Sequence, residues 1–173
     1  LGDGASLRLT GIGLEHLGIR TVPLTGGDPL LRKNLEGLVA ALASLSPRPS
    51  VALTTNGIGL ARRAGALAAA GLDRINISLD TLDADTFAQL TRRRRLPDVL
   101  AGVRAAREAG LDPVKINSVL MRGVNDHEAS ALLGWAMTEG VQLRFIEQMP
   151  LDAQHAWQRD QIGRAHVGTP VTW

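Results

Sequence analysis

Short apolar segments recur along the chain, and each one ends in a cluster of glycine or polar residues. The segments lie at 22–24, 51–53, 75–77, 114–119 and 141–146, and longer stretches with helical spacing separate them. Short apolar runs that alternate with helices are typical of a parallel sheet or a (β/α) barrel. Ligands of such folds bind at the carboxyl ends of the strands. The pattern therefore predicts one pocket at which the polar clusters meet.

The longer stretches carry the start and stop signals of helices. We predict helices at 30–44, 59–70, 98–109 and 126–139, and a further helix that begins after an N-cap at Asp83. The apolar positions of the first helix recur at helical spacing: Leu31, Leu35, Leu38 and Leu42. Gly71, Gly110 and Gly140 stand where three of the helices should end, because glycine adopts the left-handed conformation of a C-terminal cap.

The first two clusters offer backbone groups and hydroxyls to a ligand. In Thr25-Gly26-Gly27-Asp28 two residues without a Cβ let the backbone approach a bound molecule closely, and Asp28 adds a carboxylate. A plain strand-to-helix turn is the alternative. In Thr54-Thr55-Asn56-Gly57 the hydroxyls and the amide suit ribose or phosphate oxygens, although capping of a helix is the role that the sequence alone favours.

The next two segments place polar side chains on one face of a strand. Asn76, Ser78 and Asp80 share a face by alternation, and polar groups in register on a barrel interior need a ligand or solvent to satisfy them. Lys115 and Asn117 share a face in the same way. Lys115 is a candidate partner for phosphate or carboxylate, a candidate Schiff-base nucleophile, or a surface lysine whose stem covers apolar atoms.

Composition narrows the class of protein. The 173 residues are 45% apolar and 21% charged, with a formal net charge of +2, which suits one globular domain of ordinary make-up. With 3% aromatic residues and no Tyr, base-stacking surfaces are hard to build, and we expect no nucleic-acid partner. No apolar run approaches the roughly 20 residues of a membrane span, so we expect no membrane partner and a cytoplasmic location.

Two further features of the sequence restrict the chemistry. The chain has no Cys, which excludes disulfides, thiolate zinc sites and cysteine-held iron–sulfur clusters within these residues. The basic run at 92–95 lies between predicted helices, and we interpret it as a solvated surface away from the strand ends, with phosphate binding as the less favoured alternative. Residues 161–173 abandon the pattern and resemble a translated sequencing adapter, so we predict one domain at 1–160 and a non-native tail.

Five motifs along the chain share one known pattern: LTGGDPLLRKNL (24–35), TTNG (54–57), AGLDRINISLDTLDADTF (70–87), VKINSVLMRGVND (114–126) and LRFIEQMPLDAQHAW (143–157). They resemble the radical S-adenosylmethionine (SAM) enzymes, and most specifically the GTP 3′,8-cyclase family of molybdenum cofactor biosynthesis. The resemblance implies an α/β fold, a partial (β/α)6 TIM-like barrel in which strands two to six are present and the first strand is missing.

The resemblance also implies roles for particular residues. Gly27, with Gly26 and Asp28, would lie against the methionyl end of SAM, and Asp28 would reach its amine. Ser78 would contact the ribose or carboxylate region of SAM, and the Met149 backbone would contact its adenine. Thr54 and Lys115 match positions that bind GTP.

The reaction that the resemblance implies uses a reduced [4Fe–4S] cluster to cleave SAM. The resulting 5′-deoxyadenosyl radical removes the ribose 3′ hydrogen of GTP, and C3′ then attacks C8 of guanine. The full-length family also allows a homodimer.

This sequence departs from the family pattern in ways that affect activity. Pro23 stands where the family usually has Arg, and Asp28 stands in place of the usual Glu. The cysteines of both family clusters would lie outside the native part of this chain, so we assign no catalytic or metal-binding residue. We expect a central fragment that is inactive by itself. Two alternatives remain open: a Lys-dependent aldolase or isomerase that uses Lys115, and a non-catalytic nucleotide-binding module.

Overall fold

The computed structural model describes residue 18 and residues 20–146. Its five strands form one parallel sheet in which they pair in chain order. The strands are β1 (Thr21–Leu24), β2 (Ser50–Thr55), β3 (Arg74–Ser78), β4 (Val114–Val119) and β5 (Gln142–Ile146). The predicted strands and their order are therefore confirmed, and the α/β class with them.

Five α-helices connect the strands, and two of them lie between β3 and β4. They are α1 (Leu35–Ala43), α2 (Ala64–Ala69), α3 (Ala84–Thr91), α4 (Leu96–Glu108) and α5 (Ala129–Glu139). Short 3₁₀ turns at Pro29–Leu31, Leu60–Arg62 and Asp126–Glu128 replace the first turns of three predicted helices. Asp83 caps α3 as predicted, because its carboxylate accepts a hydrogen bond from the Thr86 N–H at 2.8 Å.

The helix predicted at 30–44 is wrong in its first turn. Asp28 caps a single 3₁₀ turn there, and Asn34 then adopts a left-handed conformation with φ of 57°, so that α1 begins only at Leu35. Leu31 is consequently 84% exposed and does not belong to the buried face of the helix. That face consists of Leu35, Val39 and Leu42.

The sheet has one apolar face and one polar face. The helices cover the apolar face, whose fully buried side chains include Val51, Leu53, Ile75, Ile77 and Ile116. The opposite face, called the open face below, carries polar side chains that the helices do not cover: Thr54, Asn76, Ser78, Lys115 and Asn117. The alternation confirms that Asn76 and Ser78 share a face and that Lys115 and Asn117 share it too. The prediction that Asp80 continues this face is wrong, because β3 ends at Ser78 and the Asp80 carboxylate accepts a hydrogen bond from the Val119 N–H.

A close contact between α4 and the turn after β2 fixes the shape of that turn. A Cβ at Gly102 would lie 2.9 Å from the Gly57 carbonyl oxygen and 3.1 Å from the Leu60 Cβ. Gly57 itself has a φ of +79°, a conformation that residues with side chains rarely adopt. The helix can therefore approach the strand end only because both positions are glycine.

Some predictions lie outside the described residues. These include Met149 and the tail at 161–173, and the boundary of the domain predicted at 1–160 stays a prediction. Among the helices that the structure describes, none is both long enough and apolar enough to cross a membrane.

Candidate functional site

The ends of β1, β2 and β3 surround a cavity of about 420 Å³, called the strand-end cavity below. Its lining includes Gly27, Asp28, Thr54, Ser78 and Arg93. A second cavity of about 270 Å³ adjoins it and shares Asn56, Ile58, Ser78 and Arg93. The structure therefore brings together four of the residues that the sequence selects.

The Gly26-Gly27 turn presents its backbone to open space. Gly26 has a φ of +95° and Gly27 a φ of +53°, and a Cβ on either would meet no atom within 4 Å. The left-handed conformation explains why these positions are glycine. The absence of neighbouring atoms means that a bound molecule can approach the backbone of Gly27 from the cavity.

The Asp28 carboxylate joins the loop after β1 to the loop after β2. It accepts hydrogen bonds from the Leu30 N–H at 2.9 Å, the Thr55 hydroxyl at 2.9 and 3.1 Å, and the Asn56 N–H at 2.9 Å. Asp28 thus lines the cavity, while both of its oxygens already have donors from the chain. Its contact with a SAM amine stays a prediction, and holding the two loops together is a role that the sequence did not reveal.

The side chains of the second cluster act mainly within their own turn. The Thr55 hydroxyl accepts a hydrogen bond from the Gly57 N–H at 3.1 Å, and Asn56 Oδ1 accepts one from the Ile58 N–H at 2.9 Å. These are the local turn bonds that Thr and Asn commonly form. Thr54 differs, because it lies on the open face and accepts a hydrogen bond from Asn76 Nδ2 at 3.1 Å.

A buried polar network supports the end of β3. Asp80 Oδ1 accepts a hydrogen bond from the Val119 N–H at 2.8 Å, and Asn125 Nδ2 donates to the Asp80 carbonyl at 2.7 Å and to the Val119 carbonyl at 2.9 Å. Burial raises the pKa of the Asp80 carboxyl, although the hydrogen bond from Val119 acts in the opposite direction. Glu128 extends the network, because it accepts from the Thr81 hydroxyl and the Leu82 N–H.

The network holds the loop that follows Ser78, and the sequence analysis missed two of its members. Asn125 is fully buried and Glu128 is 8% exposed, although both belong to the polar run 125–128 at the start of a predicted helix. Burial of such groups is stable when their hydrogen bonds are satisfied. No pattern in the sequence shows which polar loop residues turn inward.

Lys115 lies on the open face, one strand beyond the strand-end cavity. It pairs in register with Asn76, which pairs with Thr54, so the open face continues from the cavity across β3 to β4. Burial lowers the pKa of Lys115, and the nearby Arg144 and Arg74 lower it further by charge repulsion. Asn117 follows on the same face, and its buried Oδ1 accepts no hydrogen bond from the described residues.

The structure corrects the interpretation of the basic run at 92–95. Arg93 lines both cavities at the strand ends, whereas Arg94 and Arg95 form ion pairs with Asp85 and Asp98. The backbone at Arg93 is held by the Thr91 hydroxyl, which accepts from the Arg93 N–H at 3.2 Å and donates to the Phe87 carbonyl in α3 at 2.7 Å. The run therefore is not wholly away from the strand ends, since α3 ends in a turn that returns to them.

Comparison with protein families supports the resemblance in the sequence. A model of the family described as the radical SAM superfamily matches residues 8–136. A GTP 3′,8-cyclase from Streptomyces coelicolor is 61% identical over 160 residues, which are 92% of this chain and 47% of that protein. GTP 3′,8-cyclases from Paenarthrobacter nicotinovorans and Mycolicibacterium smegmatis are 56% and 58% identical over 93% and 90% of the chain, and over 46% and 43% of their own lengths. The chain spans about half the length of the curated relatives it matches.

Solved structures with low sequence identity share the fold. One is the Escherichia coli coproporphyrinogen III oxidase HemN, described as a radical SAM enzyme, with a TM-score of 0.63 and 13% identity over 94% of this chain and 41% of that chain. Another is TYW1 with a lysine-pyruvate adduct bound, with a TM-score of 0.57 and 17% identity over 91% of this chain and 56% of that chain. Together with the parallel sheet, these likenesses show the partial-barrel architecture.

Proposed function

Because the chain belongs to the radical SAM superfamily, we propose that it forms the SAM-binding and GTP-binding part of a GTP 3′,8-cyclase. That enzyme converts GTP to (8S)-3′,8-cyclo-7,8-dihydroguanosine 5′-triphosphate, the first step of molybdenum cofactor biosynthesis. The observation that carries the proposal is that the lining of the strand-end cavity includes Thr54 and Ser78 of the open face, the same sheet face that bears three cations.

The strand-end cavity fits the amino-acid half and the ribose of SAM. The uncovered backbone of Gly26 and Gly27 offers carbonyl acceptors for the ammonium group, and the exposed Ser78 hydroxyl faces the same space. The Arg93 guanidinium supplies a positive charge for the carboxylate. Bound SAM supplies a 5′-deoxyadenosyl group that can remove a hydrogen atom from a substrate. We also propose that the Met149 backbone contacts the adenine of SAM; that residue lies outside the described range.

The open face fits GTP. Lys115 carries a positive charge toward the space above the sheet, where Arg74 and Arg144 lie close enough to repel it. Thr54 and Asn76 lie between this charge and the strand-end cavity. Asn117 Oδ1 is a buried acceptor without a donor in the described residues, and a hydroxyl or N–H group of a nucleoside would satisfy it.

The residues of this chain do not fit the iron–sulfur clusters of the family. The sequence contains no Cys, and no group of three or more metal-binding side chains lies within the described residues. We therefore propose that the cluster ligands come from segments that this chain does not contain, and that the chain alone binds ligands without turnover. A homodimer and a cytoplasmic location belong to the same proposal.

A Lys-dependent aldolase is less well supported. The lowered pKa of Lys115 would suit a Schiff-base nucleophile. However, two flanking arginines favour an anionic ligand, and the strand ends match the radical SAM family. Borohydride reduction in the presence of pyruvate and similar carbonyl compounds should leave the mass of the protein unchanged; a stable adduct on Lys115 would favour the aldolase.

A chimeric enzyme tests the proposed function. Residues 20–146 of this chain replace the matching stretch of the Streptomyces coelicolor enzyme, which keeps its own terminal segments. We expect the chimera, with its clusters reconstituted and reduced by dithionite, to form the cyclised nucleotide from GTP and SAM, measured by mass spectrometry. The unmodified Streptomyces coelicolor enzyme is the positive control. A folded chimera that contains its clusters and yields no product, with Pro23 or with Pro23→Arg, would refute the proposal.

A further inference from the structure

Three cations cross the open face of the sheet on a diagonal. Lys115 on β4 pairs with Asn76, which follows Arg74 by two residues along β3. In the same way Lys115 pairs with Gln142 on β5, and Arg144 follows Gln142 by two residues. The spacing of strands and residues makes each step about 8 Å between backbones. None of the three forms an ion pair with an acid among the described residues.

The Arg74 side chain reaches across the neighbouring strand. Its Nη2 atom donates a hydrogen bond to the Thr21 hydroxyl on β1 at 3.1 Å, although β2 lies between β1 and β3. The residue that pairs with Arg74 on β2 is Ala52, whose small side chain leaves room for this crossing. Pro23 follows Thr21 on the same face of β1, and the backbone of Arg74 lies in the row Pro23–Ala52–Arg74. Its guanidinium lies beside Thr21, one residue pair before Pro23.

Arg74 has more hydrogen-bonding capacity than the chain uses. A guanidinium carries five N–H donors, and the only side-chain hydrogen bond of Arg74 among the described residues is the one to Thr21. The same donors bind phosphate oxygens strongly because they match their geometry and carry charge. Pro23, in contrast, offers neither a charge nor an N–H from β1.

We infer that Arg74 is a phosphate-binding residue of the nucleotide site, and that it supplies from β3 the positive charge that Pro23 cannot supply from β1. The inference rests on the proposed function, because it names the triphosphate of the nucleotide as the anion. Three cations over two diagonal steps suit an extended anion with several charges, whereas a carboxylate offers only one. An anion between them also removes the repulsion that Lys115 experiences from both arginines.

The test compares GTP with guanosine in the chimeric enzyme. Arg74→Gln should weaken the binding of GTP by about tenfold and the binding of guanosine by less than about twofold, measured by calorimetry, because only GTP carries the phosphates. Pro23→Arg in the Arg74→Gln background should restore most of the lost affinity, since an arginine there enters the same row from the other side. Loss of both affinities in equal measure, or no rescue, would overturn the inference.

Two control variants separate charge from structure. Thr21→Val removes the partner of Arg74 and keeps its charge, so GTP affinity should change by less than about threefold. Arg104→Gln removes a charge that pairs with Glu139 on the helix layer, and it should leave GTP affinity unchanged. A Thr21→Val variant that loses as much GTP affinity as Arg74→Gln would show a structural role for Arg74. If the unsubstituted chimera binds neither GTP nor guanosine, the proposed function itself fails.

Discussion

The loops at the strand ends and the open face of the sheet are organised in opposite ways. At the strand ends the charged Asp28 is fully engaged by donors from two loops, and the polar groups around Asp80 are tied into a network. On the open face Arg74, Lys115 and Arg144 have no acidic partners among the described residues. The polar groups of the first region are therefore satisfied by hydrogen bonds within the chain, whereas the second region has charges that a bound anion would neutralise.

This difference indicates which property each region contributes to binding. Because the polar groups of the loops are already hydrogen-bonded, the Gly26-Gly27 backbone and Ser78 are held in fixed positions. Little conformational entropy is then lost when a ligand binds. An unpaired set of cations contributes attraction instead, and its effect depends on salt and pH. The row Thr54–Asn76–Lys115 joins the two regions, which places the two proposed ligands side by side.

The largest expected effect concerns the hydrogen bonds by which Asp28, in the loop after β1, holds the loop after β2. Asp28→Ala removes the cap of the 3₁₀ turn and leaves the Thr55 hydroxyl and the Asn56 N–H without their acceptor. We expect the free energy of unfolding of the chimera to fall by about 3 kcal/mol, measured by urea denaturation. Asp28→Asn, which keeps one acceptor oxygen, should lose less than Asp28→Ala. A change below about 1 kcal/mol for Asp28→Ala would mean that the strand ends are not held in this way.

The contact between α4 and the turn after β2 should give the next largest effect. Gly102→Ala places a Cβ 2.9 Å from the Gly57 carbonyl oxygen, and the backbone has to move. We expect a loss of about 2 kcal/mol in stability, although alanine otherwise favours a helix over glycine. Gly134→Ala in α5 is the matched control, because its Cβ would meet nothing within 4 Å and should stabilise the helix. Equal results for the two variants would contradict the close packing.

Arg93 tests whether the strand-end cavity binds a carboxylate. Arg93→Gln in the chimera should weaken SAM binding by about tenfold and leave the binding of decarboxylated SAM unchanged, measured by calorimetry. Arg94→Gln is the matched control, because Arg94 pairs with Asp85 at the surface and should have no effect on either ligand. A parallel loss for SAM and its decarboxylated analogue would remove Arg93 from the site.

The smallest expected effect is a pH dependence of nucleotide binding. Burial and the two arginines lower the pKa of Lys115, so the free protein loses this charge at a lower pH than an ordinary lysine does. The proposed nucleotide ligand carries phosphates that pair with the charged form, so the affinity for GTP should fall several-fold as the pH rises through the lowered pKa. In Lys115→Gln this part of the pH profile should be absent. An unchanged profile in that variant would assign the dependence to another group.

The fold could be predicted because its signals are local. Each strand is a short apolar run, and Gly71, Gly110 and Gly140 mark helix ends where the chain adopts positive φ values. The start of α1 was wrong because Leu31 fits the helical spacing, while a cap at Asp28 and a left-handed Asn34 decide the actual geometry. Propensity and periodicity do not show such a competition between two caps.

The candidate site could be predicted only where it lies on the strands. Gly27, Asp28, Thr54 and Ser78 line one cavity because parallel strands bring their carboxyl ends together. Arg93, Asn125 and Glu128 were missed, because they lie in loops or at the start of a helix, where the direction of a polar side chain depends on tertiary contacts. A run of arginines gives no sign of which arginine lines the strand-end cavity.

Hydrogen transfer between the two ligands tests most directly whether the strand-end cavity and the open face form one reaction site. The chimera, with its clusters reconstituted and reduced by dithionite, is supplied with SAM and with GTP that carries deuterium at the ribose 3′ carbon. The 5′-deoxyadenosine formed is analysed by mass spectrometry. The arrangement of Ser78, Thr54 and Lys115 predicts that the deuterium appears in 5′-deoxyadenosine. Cleavage of SAM that leaves the deuterium in GTP would contradict it.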